Sequence, residues 1–282
     1  MSRKTKYALV TGCGQGGIGE ALVTEYTRRG IHAIATVLPL EPSEHLSRAG
    51  ITWFPLDVTD DESVLALKKH ISGLTDGYLD ILSPVGYTMT AIDTDVNAVQ
   101  KMFDVNVFGP IRMVHHFHEM LIRSSGIIVN MGSIGGIVPY VYGSSYNASK
   151  ASMVQWSNTL RVEMAPLSVR VLTIIAGEVG TNILKNDHGR VLPEGSFYSP
   201  LATEFERHIH RIPSTTDRFL FAKGVVGKSL MLSPPAWFWT GSQTALIRFL
   251  NTFFPQTIFD WLFWSMFDLG KLKRSHAQRR DI

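Results

Sequence analysis

Short apolar runs bounded by glycine alternate with longer amphipathic stretches along most of this chain. Tyr7-Ala8-Leu9-Val10-Thr11 is the first run and stops at a glycine cluster, as a buried parallel strand does. A helical pattern from Glu20 to Arg29 follows and ends at Gly30. The pattern predicts further strands over Ile31 to Val37, Gly50 to Leu56, Leu79 to Leu82, Gly126 to Asn130 and Val169 to Ile175. Helices are predicted between them. One runs from Glu62 to Ile71 behind the N-cap Asp60. A long one has Phe103, Val107 and Ile111 on one face, includes Asn106 and reaches Arg123. Another begins near Ser145, after a turn and cap at Ser144 and Ser145, and runs to about Ala165. Strands alternating with helices at this spacing imply an α/β fold, a doubly wound parallel sheet with helices on both faces. Ligands bind such a sheet beyond the carboxyl ends of its strands.

Composition narrows the class. The 282 residues suit one large domain with a full core. Net charge is +3, and Lys271, Lys273, Arg274, Arg279 and Arg280 against Asp281 supply more than all of it, leaving a faintly acidic body. No basic stripe runs through the fold, so nucleic acid is not an expected partner. The single Cys13 forbids an internal disulfide, suits a reducing compartment and reads as a small packing residue. Met1 to Lys6 is polar and basic with no apolar region of secretory length behind it. His115, His116 and His118 lack an acid or cysteine at ligand spacing and are read as surface or core histidines, with no metal expected.

The candidate chemistry gathers at the strand ends. Gly12-Cys13-Gly14-Gln15-Gly16-Gly17-Ile18-Gly19 between a strand and a helix is the arrangement that cradles a pyrophosphate on backbone N–H groups, a Rossmann-type feature. Gly12, Gly14 and Gly17 match G-x-G-x-x-G, but that register wants an acid at the end of the second strand. There the chain reads Thr36-Val37-Leu38-Pro39, with Glu41 beyond the proline. The preferred register is therefore Gly12, four residues, then Gly17-Ile18-Gly19. Asp57, after the third strand, is a candidate for the adenine amino group or a plain turn residue. Ser133 ends the fifth strand region, and Tyr146 and Lys150 lie one turn apart on the next helix. A hydroxyl, a phenol and an ammonium so placed could protonate a carbonyl. A free phenol has a pKa near ~10; a neighbouring ammonium is expected to lower it.

With these residues in view, the chain resembles a short-chain dehydrogenase/reductase from about Tyr7 to Thr181. Thr11-Gly12 with Gly17-Ile18-Gly19 resembles the family's TGxxxGxG with one extra loop residue. Asp57-Val58 resembles its adenine-contacting pair, and Tyr146-Asn147-Ala148-Ser149-Lys150 its YxxxK, thirteen positions after Ser133. The resemblance implies a catalytic set of Asn106, Ser133, Tyr146 and Lys150. It implies a cofactor site built from Gly12, Gly17, Ile18, Gly19, Asp57, Val58, Gly86, Tyr146, Lys150, Val179 and Thr181. Ser83-Pro84-Val85-Gly86 departs from the family's Asn-Asn-Ala-Gly, with an N–H donor lost at Pro84, and Ala176-Gly177 stands for its Pro-Gly. Within the family the longer Gly loop and aromatic tail resemble the fungal branch typified by 1-acyldihydroxyacetone phosphate reductase. That branch implies NADPH, with NAD not excluded.

Residues 1–235 are expected to form the dinucleotide-binding and catalytic domain, and 236–282 an aromatic extension with a basic tail. Asn182 to Arg211 loses all pattern and reads as a substrate loop and lid. Ala236 to Gly241 is expected to be a last edge strand after Pro234-Pro235, and Gln256 to Leu269 one helix with a narrow polar stripe. Pro255 and scattered charges interrupt any span of ~20 apolar residues, so no crossing helix is expected. Two readings of the tail stand: a helix docked on the domain or across a homo-oligomer interface, or an in-plane anchor with the basic run at lipid headgroups. The second would place the protein peripherally on the cytoplasmic side of the endoplasmic reticulum or a lipid droplet. The functional expectation is a carbonyl reductase of lipid or secondary metabolism that interconverts a bulky lipophilic ketone and its alcohol. The alternatives are a non-redox isomerase or cyclase on the same scaffold, or a membrane-associated binding protein without catalysis.

Overall fold

The computed structural model describes residues 5–79, 90–181 and 189–280. Its elements run β1 (Tyr7–Val10), α1 (Ile18–Arg28), β2 (His32–Val37), α2 (Glu44–Arg48), β3 (Thr52–Pro55), α3 (Asp61–Thr75) and α4 (Val96–Phe103). After a π-helical turn (Asp104–Phe108) come α5 (Gly109–Ser124), β4 (Ile127–Ser133), α6 (Ser144–Met164), β5 (Arg170–Ala176), α7 (Ala202–Ile209) and α8 (Arg218–Ser229). The chain continues with β6 (Trp237–Thr240), α9 (Thr244–Phe253), α10 (Ile258–Met266) and α11 (Leu269–Arg280). Most of the strand expected at Leu79 to Leu82 lies outside the described residues.

All strand pairs are parallel, β1 with β2, β2 with β3, β4 with β5 and β5 with β6. The two ladders are halves of one layer, because they share the same two cores. Ala8, Val10, Ala35, Val129 and Ile174 point to one side, where α1 and α8 cover them with Leu22, Tyr26, Phe221 and Val225. Leu9, Ile34, Ile128 and Val171 point to the other, under Val64 and Ile71 of α3 and Met113 and Phe117 of α5. The two-residue period of a strand puts successive side chains on opposite faces, so strands covered by helices on both sides must be apolar throughout. β4 is buried at every position. The fold is the Rossmann-like parallel sheet flanked by helices.

Tertiary packing changes several local expectations. The long helix across Asn106 is interrupted by the π turn, a bulge that re-aims one side chain without ending the helix. The segment expected to be an irregular lid contains α7, whose Phe205 and Ile209 enter an aromatic core; residues 182–188 lie outside the description. β6 pairs with β5, so the boundary expected at 235 falls inside the sheet's last crossover. The extension beyond the sheet starts at α9, which the sequence pattern did not mark. The expected single helix over Gln256 to Leu269 is two, divided at Asp268, where φ is 49°. Gly143 rather than Ser144 or Ser145 occupies the N-cap of α6, and no side chain caps that end. Asp60 caps α3 as expected, accepting from Glu62 N at 3.0 Å.

Candidate active site

β4 carries Ser133 to the carboxyl edge of the sheet, and α6 brings Tyr146 and Lys150 against it. Two glycines make this approach possible. A Cβ on Gly132 would meet Ile174 O at 2.8 Å and Val154 Cγ2 at 2.9 Å, and one on Gly136 would meet Lys150 C at 2.8 Å. The strand exit therefore presses directly on the helix backbone. Asn147 Nδ2 donates to Tyr140 O at 2.9 Å and pins the intervening loop.

The Ser133 hydroxyl stands close enough to the Tyr146 phenol to act on its titration. The Ser133 hydroxyl also accepts from Gly135 N at 3.1 Å. Lys150 is 3% exposed. Its Nζ donates to Met131 O at 3.1 Å and stands 5.8 Å from the centre of the Tyr146 ring. Burial pushes Lys150 down to about 8. Burial also pushes the Tyr146 phenol above its ordinary value, and the Ser133 hydroxyl opposes this only in part. The depression of the phenol by Lys150 expected from the sequence is not found. The lysine's own charge is desolvated and its ammonium is tied to a carbonyl of β4.

Asn106 sits in the π turn with no exposed surface. Its Nδ2 donates to Ser149 Oγ at 3.1 Å, and Ser149 Oγ donates to Tyr146 O at 2.8 Å. Asn106 Oδ1 is buried without a hydrogen-bond partner among the described residues, a spare acceptor beside α6. Ser149 was not singled out from sequence; its place inside YxxxK was the available signal.

The glycine loop fits a dinucleotide. Gly12 and Gly16 adopt φ of 68° and 82°, open to glycine at no steric cost. A Cβ on Gly19 would strike Gly12 O and stand 2.8 Å from Gly12 C; one on Gly17 would stand 3.0 Å from Gly14 O. Bare backbone thus lies where a pyrophosphate would approach, with α1 starting at Ile18 behind it. Cys13 fills the inside of the loop with no exposed surface, and burial pushes its thiol up to about 12, so it is a packing residue.

An acid does reach this loop, contrary to the reading of Val37-Leu38-Pro39. Glu41 N donates to Leu38 O at 3.0 Å, closing a turn that brings the Glu41 carboxylate onto Gly14, where a Cβ would stand 2.9 Å from Glu41 Cδ. Asp57 serves its own turn, accepting from Thr59 N at 2.9 Å and Thr59 Oγ1 at 2.7 Å. Val58 O accepts from Arg112 Nη1 at 2.6 Å. Val179 is buried and bridges to Thr216, and Thr181 is half-buried at the exit from β5. Gly86 and the Ser83-Pro84-Val85 departure lie outside the described residues. Of the three histidines, His116 pairs with Asp61 at 2.9 Å and His118 turns back on His115 O.

The family profile described as short chain dehydrogenase matches residues 6–190. The short-chain dehydrogenase srdE of Neurospora crassa is 69% identical over 278 residues, 97% of this chain and 96% of that protein. The NADPH-dependent 1-acyldihydroxyacetone phosphate reductase of Schizosaccharomyces pombe is 40% identical over 202 residues, 69% of this chain and 68% of that protein. The fungal branch named from the sequence is thus a relative, but other fungal short-chain dehydrogenases are more similar. Among solved structures, a short-chain dehydrogenase from Streptomyces avermitilis superposes with a TM-score of 0.75 at 22% identity, covering 95% of this chain and 99% of that one. The chain belongs to the short-chain dehydrogenase/reductase family of NAD(P)-dependent oxidoreductases.

Proposed function

We propose that this enzyme is an NADPH-dependent carbonyl reductase that interconverts a bulky, lipophilic ketone and its secondary alcohol. The observation that carries the reading is the meeting of Ser133 and Tyr146 at one strand end, with buried Lys150 Nζ 5.8 Å from the centre of the tyrosine ring. When bound, a nicotinamide dinucleotide would supply the hydride for the carbonyl carbon. Tyr146 gives its phenolic proton to the carbonyl oxygen, and Ser133 donates a hydrogen bond to that oxygen from the other side. Lys150 then reloads the phenolate, with Asn106 Oδ1 positioned to hold a water on the way to solvent. Tyr146→Phe is expected to abolish oxidation of the reduced cofactor in the presence of a ketone panel while cofactor still binds. A mutant at wild-type rate would remove the acid assignment. A wild type that converts a substrate with no change in nicotinamide absorbance would favour a non-redox enzyme; one that converts none would favour a binding protein.

NADPH as the cofactor is supported by the NADPH dependence of the fission-yeast relative. One observation favours NADH as a second reading. The Glu41 carboxylate on Gly14 suits a ribose hydroxyl and repels a 2′-phosphate. Titration of both cofactors by fluorescence separates the two.

Lipophilic substrate is supported by what the Ser133-to-Tyr146 loop packs against. Val138 and Tyr142 join Phe205 of α7 with Phe259, Phe263 and Phe267 of the C-terminal extension in one aromatic core. The opposite faces of α9 and α10 are left bare. Phe253 is 70% and Trp261 73% exposed, with Leu246, Phe249, Trp264 and Met266 also outward. Among the described residues no helix is long and apolar enough to cross a membrane. We assign these faces to the surface of an anionic bilayer on the cytoplasmic side, because Trp264 and Arg274 flank Gly270 together and put an aromatic beside a base. Lys271 is not free for headgroups, since its Nζ pairs with Glu204 at 2.9 Å. Co-sedimentation with anionic vesicles, lost in a Phe253→Ser/Trp261→Ser variant, is the expected result. A full chain that stays in the supernatant, or elutes as a dimer disrupted by the same pair, would replace the membrane with a second copy.

A further inference from the structure

The phosphate loop carries a cation from a distant part of the chain, and the catalytic set does not use it. Arg218 opens α8, directly after the segment that bridges back to the exit of β5 through Val179 and Thr216. Its Nη2 lies 3.3 Å from Glu20 Oε2, and the same carboxylate oxygen accepts from Gly16 N at 2.7 Å. One carboxylate thus stands between a loop amide and a guanidinium. Glu20 lies in the first turn of α1, where its charge suits the positive end of the helix. The same charge opposes a diphosphate arriving at the neighbouring amides of Ile18 and Gly19. Something must offset that repulsion.

Arg218 has the means. A guanidinium presents five donors in a rigid fork. Arg218 Nε is buried and makes no hydrogen bond among the described residues. The group is held in place by Phe219, whose ring centre is 4.7 Å from Cζ, and by Glu20. We propose that Arg218 is a diphosphate-binding residue of the cofactor site, held beside Gly16 by Glu20 and offering its spare donors to the phosphate oxygens of the bound dinucleotide. It acts on the diphosphate shared by NADPH and NADH, so it raises affinity for both without selecting between them. This rests on the family's use of a nicotinamide dinucleotide.

The test is a fluorescence titration of the full chain with NADPH and with NADH, at low and at high salt, with thermal melts alongside. Arg218→Gln is expected to weaken both cofactors about tenfold at low salt and to flatten the salt dependence. Arg218→Lys, which keeps the charge, is expected to recover most of that loss. Glu20→Gln removes the opposing charge while keeping an oxygen for Gly16 N–H, and is expected to bind both cofactors at least as tightly as wild type. A merely structural ion pair predicts the reverse pattern, with Arg218→Gln and Glu20→Gln lowering the melting temperature alike and leaving both dissociation constants within twofold of wild type. That result, or equal weakening by the two variants, overturns the proposal. Loss of NADPH binding alone in Arg218→Gln would also overturn it, since the contact would then be to the 2′-phosphate. A wild type that binds neither cofactor would be a failure of the dinucleotide reading itself.

Discussion

Asn106 and Ser149 are joined by a 3.1 Å hydrogen bond between two side chains with no exposed surface, tying the π turn to α6, the helix that carries Tyr146 and Lys150. Ser149 passes the contact on to Tyr146 O at 2.8 Å. The bulge turns an otherwise ordinary helical residue toward the site.

Asn106→Ala should therefore act on turnover more than on cofactor affinity. It leaves Ser149 buried with its acceptor unused, at a cost of about 1–3 kcal/mol. It also removes the spare Oδ1 acceptor. The expected outcome is a fall in kcat with the dissociation constant of the cofactor unchanged, and a lower melting temperature, measured by steady-state kinetics, titration and thermal denaturation.

Lys150 makes stability depend on alkali in a definite direction. Its pKa in the folded chain is about 8. In the unfolded chain it returns to 10.5. Between these values the unfolded state binds more protons, so stability rises with pH across that window. The penalty at lower pH is on the order of 3 kcal/mol. Lys150→Met should abolish this slope in denaturant melts while destroying activity. Wild-type turnover should fall as pH rises through about 8 and the ammonium is lost.

The aromatic core of the extension has an acid-sensitive member. His208 packs against Tyr140, Tyr142 and Phe267, with Arg211 Nη1 3.2 Å from its Nε2. Burial first, then Arg211, pushes it down to about 4 from 6.5. The folded state resists a proton that the unfolded chain accepts, so stability is lost as pH falls from 6.5 toward 4. His208→Phe keeps a ring in the cluster. Its melting temperature is expected to change little over that interval, where the wild type's declines.

Gly19 is the tightest test of the phosphate loop. A Cβ there would stand 3.0 Å from Cys13 Cα and strike the Gly12 carbonyl. Gly19→Ala must push α1 away from β1, so cofactor binding is expected to weaken at least tenfold with a loss of about 1–3 kcal/mol in stability. Gly30→Ala is the comparison, since nothing lies within 4 Å of its Cβ position; its φ of 75° makes it a strain control with no effect on the cofactor.

The order of elements, the parallel sheet and the Ser133, Tyr146 and Lys150 set were legible in the chain because each depends on local spacing. Apolar runs between glycines mark buried strands, and a tyrosine and lysine four apart share a helical face wherever the helix lies. The strand–turn–helix form of the glycine loop was legible as well, since Gly17 and Gly19 are demanded by backbone contacts within that unit. Glu41 was misjudged for the opposite reason. Pro39 suggested that the acid was carried away, whereas the turn closed by Glu41 N and Leu38 O returns it to Gly14. The π turn at Asn106, the break at Asp268 and the seating of Phe259, Phe263 and Phe267 against Tyr142 depend on packing between segments far apart in the chain. So does Arg218 beside Glu20, for which no local pattern exists. The phenol of Tyr146 shows the division most clearly. Its place was fixed by periodicity, but its protonation is set by burial and by Ser133, and those exist only once β4 and α6 have closed on each other.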